Sequence, residues 1–544
     1  MSESSKATWL KWLGVAATGG YLVLAAIALA WGAWSRFRLP QAPVVDPDIQ
    51  GYLGPAIFAL TGHQFVHLDG RSSAYPAFVY LILRVFGDFR AISIIQHIIG
   101  VGAGAVTLMA WNAMLRLVPA GGVPRELGRF AGLAPAVIYL GSSTAIHFEQ
   151  QIRPEAIFPF LAIVDIMLGF LFIEARFLKR KESAIWLGGL NVFVAYLIYQ
   201  LKPSFGLATV LSTAPVWVSL VTPGATMRAR GMLLAAAVLP AALLLYLPEK
   251  VMKAGDPMAR FFLPETLFSI HGSLILSQIT RDLDSNAQTP YPRPVLQAAH
   301  DLLKTDLEKA ANASGKSFPI LGYNPDYLMY SSFCLEFPRM MHWKAEELLG
   351  FYNYYYRRTA VRQPGAMWRK VMGQMGVFYN NKSGVYRLGQ SYNMGDEYAQ
   401  TPGWMLEIGD IAGSYAPMER YFQECNGLAK QGVAITETKR FLEWTRALSV
   451  NYMNLLFVVL VSPLVLIARP MRLHFVWLVA AMWVVYGYNF GNCLTVAVVH
   501  SLEVMRYMRS QLIYTVFAQC MAGYFVAEVI AVAGRRLRAG KFRG

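Results

Sequence analysis

Two acidic residues, Asp46 and Asp48, are the positions in this chain whose residue type and placement best fit chemistry. They follow closely on the first long apolar stretch, where its far end should meet a membrane surface. The chain as a whole is 55% hydrophobic, with a mean hydropathy of +0.37. Acidic side chains are costly beside such an apolar environment, so their presence there favours a functional role.

The cationic residues predicted to lie on the same face indicate a type of reaction. A carboxylate at the membrane–water boundary can act as general base and take a proton from a hydroxyl nucleophile. Cationic side chains can hold a phosphate leaving group, arginine as a bidentate fork and lysine as a point charge. We expect Asp48 to be the base, with Asp46 as second candidate, and a groove between helices to take an apolar tail. The candidate phosphate ligands are Arg71, Arg153, Lys202 and Arg506.

Each of these residues also has a structural explanation. Asp48 could cap a helix over residues 49–60, and Asp46 could cap or orient that segment. Arginines at a membrane boundary are often interfacial anchors, and lysines extend from the apolar region to the headgroups. Glu155 could pair with Arg153 or stabilise the start of its own helix. The sequence leaves these alternatives open.

A second group of polar residues lies near the C-terminus. On a helix, His500, Glu503 and Tyr507 would share one face, with Arg506 at its flank. A structural cluster of ion pairs would explain this pattern. We favour contact of Arg506 with a phosphate.

Histidine spacing gives little support for a metal centre. His63 and His67 stand four residues apart, a spacing that can bind metal on a helix, but no third ligand is near them in the sequence. We expect no metal site there. The sequence contains no cofactor motif, and it leaves open whether the activity depends on a metal ion. His271 opens a helical-looking stretch and could face the cleft lined by the charged residues.

Several apolar stretches are long enough to cross a bilayer, which takes about 20 residues as a helix. Spanning segments must be helical, because backbone polar groups in lipid have to be paired within the segment. We therefore predict an all-α polytopic membrane protein with about ten transmembrane helices. The stretches are residues 11–34, 91–117, 128–148, 155–175, 184–201, 203–221, 231–249, 448–468, 473–490 and 510–533.

Lysines and arginines in the short loops predict the orientation. They recur in every second loop and in the C-terminal tail, which assigns these segments and both termini to the cytoplasm. The predicted parts are an N-terminal transmembrane module (1–250) with a first outer loop (35–90), an extracytoplasmic domain (251–447), and a C-terminal module with a basic tail (448–544). The basic residues are Lys6, Lys11, Arg116, Arg125, Arg129, Arg176, Lys179, Arg180, Lys181, Arg228, Arg230, Arg469, Arg472, Arg535, Arg536, Arg538, Lys541 and Arg543.

The net charge of +16 lies largely in these loops and the tail. Anionic membrane lipids explain such a distribution better than nucleic acid does. The segment 251–447 is long enough for a mainly helical domain of its own. Its cysteines, Cys334 and Cys425, could form a disulfide in an oxidising compartment, but the sequence does not fix their separation.

Several of these elements resemble those of one enzyme class, the membrane glycosyltransferases of the GT-C class. The resemblance is to the branch that includes the lipid A aminoarabinose transferase and the protein O-mannosyltransferases. It covers the membrane part of the chain, 1–250 and 448–533, and not the segment between them. The elements are Asp48 with Tyr52, Gly70-Arg71 with Tyr75-Pro76, Arg153-Pro154-Glu155, Lys202-Pro203 and His500-x-x-Glu503-x-x-Arg506-Tyr507.

The resemblance implies a GT-C-like helical fold and transfer of a sugar from a polyprenyl-phosphate donor to a hydroxyl on the outer face of the membrane. Asp48, with Asp46 beside it, would supply the base. The acceptor would be a lipid, a cell-envelope glycan or a protein, and the sequence identifies neither it nor the sugar. The donor site would contain Arg71, Arg153, Glu155, Lys202, Arg506 and Tyr507, with Tyr52 and Glu503 as further candidates.

Two other classes stay open. A polysaccharide polymerase or ligase would share the helical membrane body but would be expected to use a prenyl-diphosphate donor. A transporter would also have many helices, but here the charges gather at one interface and no internal repeat is visible. The Gly- and Ala-rich, short-looped design favours a bacterial inner membrane, with the active site facing the periplasm.

Overall fold

The computed structural model describes residues 3–68, 70–223, 226–256, 258–314, 317–380, 385, 391–409 and 413–539, without the side chains of 3–13 and 314. It is 79% helical and has almost no strands, which confirms the all-α prediction. Part of the basic pattern lies outside the described side chains, namely Lys6, Lys11, Lys541 and Arg543.

The helices follow one another with short connections. The first part of the chain forms α1 (Glu3–Phe37), α2 (Ile49–Leu60), α3 (Ala74–Phe86), α4 (Arg90–Leu115), α5 (Arg125–Ala131), α6 (Leu133–Leu140), α7 (Ser143–Gln150), α8 (Phe158–Ile173), α9 (Ala184–Leu201), α10 (Gly206–Ser212), α11 (Ala214–Val221), α12 (Met227–Ala241) and α13 (Leu247–Ala254). Short 3-10 or π turns adjoin them at Pro154–Ala156, Glu174–Leu178, Pro203–Phe205 and Ala242–Tyr246.

The middle segment is also helical, with one small antiparallel sheet formed by β1 and β2. It contains α14 (Met258–Ile270), α15 (Gly272–Asp284), α16 (Arg293–Ser314), α17 (Pro325–Met329), α18 (Ser332–Leu335), α19 (Phe337–Met340), α20 (Ala345–Arg362), α21 (Pro364–Phe378), β1 (Tyr392–Asn393), α22 (Met394–Leu406), α23 (Pro417–Ala429) and β2 (Ala434–Ile435). The last part forms α24 (Lys439–Val461), a 3-10 turn (Ser462–Leu466), α25 (Arg469–Val499), α26 (Met505–Arg509) and α27 (Leu512–Arg538).

Eight helices in the described chain are long and apolar enough to cross a membrane, or ten if each of two bent pairs is one span. Eight of the predicted stretches correspond to these helices. The stretches 128–148 and 203–221 are the bent pairs, α5–α6 with α7 (50°) and the helix from Pro203 to Ser212 with α11 (41°). The prediction of a polytopic membrane protein is therefore confirmed, and its orientation stays a prediction.

Both bends have a local cause in the sequence. Between α6 and α7 the chain turns at Gly141, where a Cβ atom would overlap the ring of Trp31. Ser142 then caps α7, accepting a hydrogen bond from a backbone N–H in the first turn. At the start of α11, Pro215 has no N–H with which to continue the hydrogen bonding of α10.

The apolar interior is divided into several cores. The largest lies between the long helices, with Trp111 and Phe517 buried in it. A second joins residues 42–92, which contain α2 and α3, to α22 and α23. A third is formed by α14 to α20 alone. The segment 251–447 therefore has one core of its own and shares another with the connection between α1 and α4. It also contributes Val371, Met375 and Phe378 on α21 to the largest core.

Candidate active site

The connection between α1 and α2 is fixed beside the connection between α7 and α8. Val44 pairs with Gln151 in a parallel β-bridge. The Val44 N–H donates to Gln150 O at 2.8 Å, and the Ile152 N–H donates to Val44 O at 3.0 Å. This pairing brings the segment that carries Asp46 and Asp48 to the segment that carries Arg153 and Glu155.

Asp48 stands at the N-cap position of α2, but its carboxylate does not cap the helix. Oδ1 accepts from Arg71 Nη2 at 2.7 Å, and Oδ2 accepts from Arg506 Nη1 at 2.6 Å. Burial raises the pKa of Asp48, but Arg71 and then Arg506 outweigh it and bring this pKa to about 2. The capping alternative does not describe this carboxylate, which is the shared partner of two arginines.

Asp46 has a different environment. Its Oδ1 accepts from the Asp48 backbone N–H at 3.1 Å, and its Oδ2 is 2.9 Å from Arg153 Nη1. Burial raises the pKa of Asp46 above its ordinary value, against the lowering effect of Arg153. The pKa of Asp46 is therefore higher than that of Asp48, and Asp46 is the more basic of the two carboxylates.

A third carboxylate, Glu155, lies between two cations. Arg153 Nε donates to Oε2 at 3.2 Å, and Lys202 Nζ donates to Oε1 at 2.9 Å. Burial raises the pKa of Glu155, but Arg153 and Lys202 outweigh it and hold this pKa below its ordinary range. Lys202 is itself only 7% exposed, so it does not extend to the headgroups as the structural alternative supposed.

Two tyrosines line these charges. Arg71 Nη1 donates to Tyr52 Oη at 3.0 Å, and its guanidinium lies 5.1 Å from the centre of that ring. The ring of Tyr507 lies 5.2 Å from Lys202 Nζ. The structure therefore brings nine of the predicted site residues into one group, called here the charged cluster: Asp46, Asp48, Tyr52, Arg71, Arg153, Glu155, Lys202, Arg506 and Tyr507.

Two predicted residues lie apart from the charged cluster. Glu503 accepts from the backbone N–H groups of Ile320 and Leu321 and from the Gln374 amide, so it anchors the middle segment. The His271 ring is buried, with Nδ1 bonded to the Leu267 carbonyl at 2.9 Å. Neither side chain contacts a member of the charged cluster within the described chain.

The predicted helical face from 500 to 507 is wrong. His500 is extended (φ −149°, ψ −152°), and α26 begins only at Met505. The helix does not continue because the His500–Glu503 segment binds other groups. His500 Nε2 lies 3.4 Å from Asp326, and Glu503 caps backbone N–H groups of the middle segment.

The segment that carries Arg71 is held by Asp256, a residue that sequence reasoning missed. His67 Nδ1 lies 2.6 Å from Asp256 Oδ2, which also accepts from the Gly70 N–H at 3.0 Å. The paired spacing of His63 and His67 is not realised on a helix, because α2 ends at Leu60. Within the described chain no group of three or more His, Cys, Asp or Glu side chains could hold a metal ion.

A buried ion pair between α1 and α7 helps to position the charged cluster. Arg36, at the end of α1, donates through Nε and Nη2 to both carboxylate oxygens of Glu149 on α7, at 2.6 and 2.8 Å. His97 Nδ1 is 2.9 Å from the same carboxylate. Gln96 Nε2 donates to the carbonyls of Glu149 and Gln151, so this network fixes the strand-like segment before Arg153. The signal available in the sequence was an ionisable residue just beyond the end of each of two apolar stretches, 11–34 and 128–148.

A second group of polar residues adjoins Arg153. Gln151 Oε1 accepts from Arg153 Nη1 at 3.1 Å. Its Nε2 lies 3.4 Å from Glu397, which binds His147 Nε2 at 2.7 Å. Tyr392 stacks on the His147 ring with 3.8 Å between ring centres. The middle segment therefore reaches the edge of the charged cluster through β1 and α22.

The four cysteines are free. Cys334 contacts the core formed by α14 to α20, whereas Cys425 is buried in the core shared with α2 and α3. The disulfide between them, which the sequence left open, is not formed.

Comparison with known proteins finds no match: no family model, no curated protein and no solved structure matches this chain. The function has to be argued from the charged cluster itself. Four cations surround three carboxylates there, which leaves one positive charge in excess. Such a group can bind a single anionic phosphate and keep a carboxylate within reach of it.

Proposed function

We propose that this protein is an integral membrane glycosyltransferase of GT-C type. It moves a sugar from a polyprenyl-phosphate donor to a hydroxyl acceptor on the outer face of the membrane. The observation that carries the proposal is the charged cluster, in which Asp46 and Asp48 lie among Arg71, Arg153 and Arg506 beside the ends of apolar helices. The acceptor is a lipid, a cell-envelope glycan or a protein.

Charge balance supports a monophosphate donor. A sugar linked to a prenyl chain through one phosphate is a diester with one negative charge, which matches the single excess cation of the cluster. When the bond to the anomeric carbon breaks, the departing prenyl phosphate gains a second negative charge. Arginines fixed around that position stabilise this developing charge more than they stabilise the bound donor, and such differential stabilisation lowers the barrier.

Arg153 has a donor group ready for the phosphate. Its Nη2 is buried, lies 3.9 Å from Asp48 Oδ2 and has no hydrogen-bond partner among the described residues. A buried guanidinium N–H without a partner costs free energy, and a phosphate oxygen would supply one. Arg71 and Arg506, which now share Asp48, are the second and third ligands.

The order of events follows from these contacts. While Arg71 and Arg506 bind Asp48, its pKa of about 2 makes it a weak base. A donor phosphate competes for both arginines, and their release raises the pKa of Asp48 towards its ordinary value. Asp48 then takes the proton of the acceptor hydroxyl as that oxygen attacks the anomeric carbon and prenyl phosphate leaves. Asp46 keeps Asp48 and Arg153 in register through its own two oxygens.

The lipid that copurifies with the protein tests this proposal. Full-length protein extracted from membranes should carry a prenyl-monophosphate sugar, identified by mass spectrometry of the lipid extract. Arg71→Ala with Arg506→Ala should lose it. Arg90→Ala is the matched control. Arg90, at the start of α4, also pairs with a carboxylate, that of Glu424, but it lies outside the charged cluster.

The other outcomes separate the competing classes. A prenyl diphosphate in the extract would favour a polymerase or ligase. Retention of the sugar lipid in the double variant would remove the cluster from donor binding. Absence of any lipid-linked sugar, together with no release of prenyl phosphate from added donors, would overturn the proposal.

A further inference from the structure

A cavity of about 560 Å³ lies between α1, α4, α5 and α8. Thr18 on α1 lines it, whereas the charged cluster lies beyond Phe37 at the other end of the same helix. At about 1.5 Å per residue these two positions are roughly 28 Å apart, close to the thickness of a bilayer core. The cavity and the charged cluster are therefore at opposite membrane boundaries.

Three arginines line this cavity, and their positive charge is only partly balanced. Arg129 Nη1 donates to Thr18 Oγ1 at 3.2 Å, a neutral partner. Arg116 lies 3.6 Å from Glu174, but Lys179 binds that same carboxylate. Arg125 forms no ion pair with any described residue. The cavity thus presents excess positive charge, which fits an anion that accepts several hydrogen bonds.

Polar groups continue this surface into the protein. Tyr21 is buried and lines the cavity, and its Oη accepts from Asn112 Nδ2 at 3.0 Å. That hydrogen bond leaves the phenolic proton for another acceptor. Guanidinium and hydroxyl donors on one wall are the groups that bind phosphate oxygens.

The open side of the cavity is apolar. Leu22 on α1 and Met109 on α4 also line it, and they are 59% and 55% exposed. Both lie on helices that are long and apolar enough to cross a membrane, so this exposed surface faces lipid chains. A free phosphate or sugar phosphate would leave these side chains uncovered, whereas acyl chains would cover them.

We infer that the cavity binds the headgroup of an anionic phospholipid. The phosphate contacts Arg116, Arg125 and Arg129, and the acyl chains lie along Leu22 and Met109. The volume is within the range of about 300–1,000 Å³ typical of small-molecule sites. This site is at the opposite boundary from the charged cluster, so the inference does not depend on the proposed glycosyl transfer.

Native mass spectrometry of the full-length protein in detergent tests the inference. The probes are dioleoyl phosphatidylglycerol and, as a zwitterionic reference, dioleoyl phosphatidylcholine. The parent protein should bind phosphatidylglycerol more tightly than the reference. Arg125→Gln should reduce that preference about fivefold, and Arg125→Gln with Arg129→Gln about 25-fold, from roughly 1 kcal/mol for each arginine.

The control separates a site from general surface attraction. Arg469→Gln with Arg472→Gln removes the same charge from another basic loop and should leave the preference unchanged. Equal loss of the preference in both double variants would overturn the inference. An unchanged preference in Arg125→Gln would also overturn it. Arg125 is exposed, so its replacement should disturb folding least. Displacement of the lipid by excess glycerol 3-phosphate would instead identify a site for free anions.

Discussion

Arg506 Nη1 lies 2.6 Å from Asp48 Oδ2, an ion pair that joins residues 458 positions apart in the chain. It connects the start of α2 to the short helix α26, and so links the first and last parts of the membrane body. Arg71 holds the other oxygen of the same carboxylate at 2.7 Å. Asp48 is therefore the point at which three distant segments meet, and a phosphate that displaced its carboxylate would take over the contacts with Arg71 and Arg506.

Replacement of Arg506 tests its proposed contact with the donor phosphate. Arg506→Ala should lose about 2–3 kcal/mol of transition-state stabilisation, the contribution of a charge-assisted hydrogen bond. The value of kcat/KM for the prenyl-phosphate donor should therefore fall roughly 30- to 150-fold. Arg506→Lys should restore only part of it, because lysine cannot form a bidentate contact. Steady-state kinetics at varied donor concentration measure both. Parental values in the Ala variant would make Arg506 an anchor of the fold.

Asp48 and Asp46 should differ in their effect on turnover. Asp48→Asn keeps the shape of the side chain but cannot accept the proton, so kcat should fall roughly 10²- to 10⁴-fold. Asp46→Asn should have a milder effect, because Asn can still accept from the Asp48 N–H. Single-turnover assays with saturating donor separate this step from binding. A larger loss in Asp46→Asn would make Asp46 the base, as its raised pKa would allow.

The lowered pKa of Asp48 predicts how stability depends on pH. Its folded-state pKa is about 2, against an ordinary value of 3.8. The ionised carboxylate therefore contributes about 2 kcal/mol, fully present above about pH 4 and lost as the pH falls through about 2. The stability difference between the parent and Asp48→Asn should shrink over that range. Thermal unfolding in detergent measures it, with the exposed Asp284→Asn as control, and a constant difference would contradict the shift.

Cysteine labelling tests the predicted orientation. Ser285, in the middle segment, and Ser183, before α9, are both exposed. In a cysteine-free background, Ser285→Cys should react with a membrane-impermeant thiol reagent in intact cells, whereas Ser183→Cys should react only after lysis. The reverse result would invert the topology and remove the proposed reaction from the outer face.

The sequence predicted the helical body well, because hydropathy over about 20 residues is a local property. It also selected nine residues that meet in the charged cluster, although they come from five separate segments. Their pairing could not be predicted, since partners such as Asp48 and Arg506 are 458 positions apart in the chain and meet only in the folded protein.

Errors arose where tertiary contacts override local pattern. The spacing of His500, Glu503 and Tyr507 fits a helix, but Glu503 binds the backbone at Ile320 and Leu321 and the chain there stays non-helical. No local signal reports contacts with a segment more than a hundred residues away.

The buried pair of Arg36 and Glu149 provides the last prediction, on stability. Arg36 is fully buried, and Glu149 is 1% exposed. Arg36→Met should leave a buried carboxylate with only the neutral Tyr139 and His97 as partners and reduce the free energy of unfolding by about 3–5 kcal/mol. Arg36→Met with Glu149→Leu removes both charges and should be less destabilised than the single variant. Thermal unfolding of the parent, both single variants and the double variant gives the coupling free energy, and strictly additive losses would show that the two side chains do not stabilise one another.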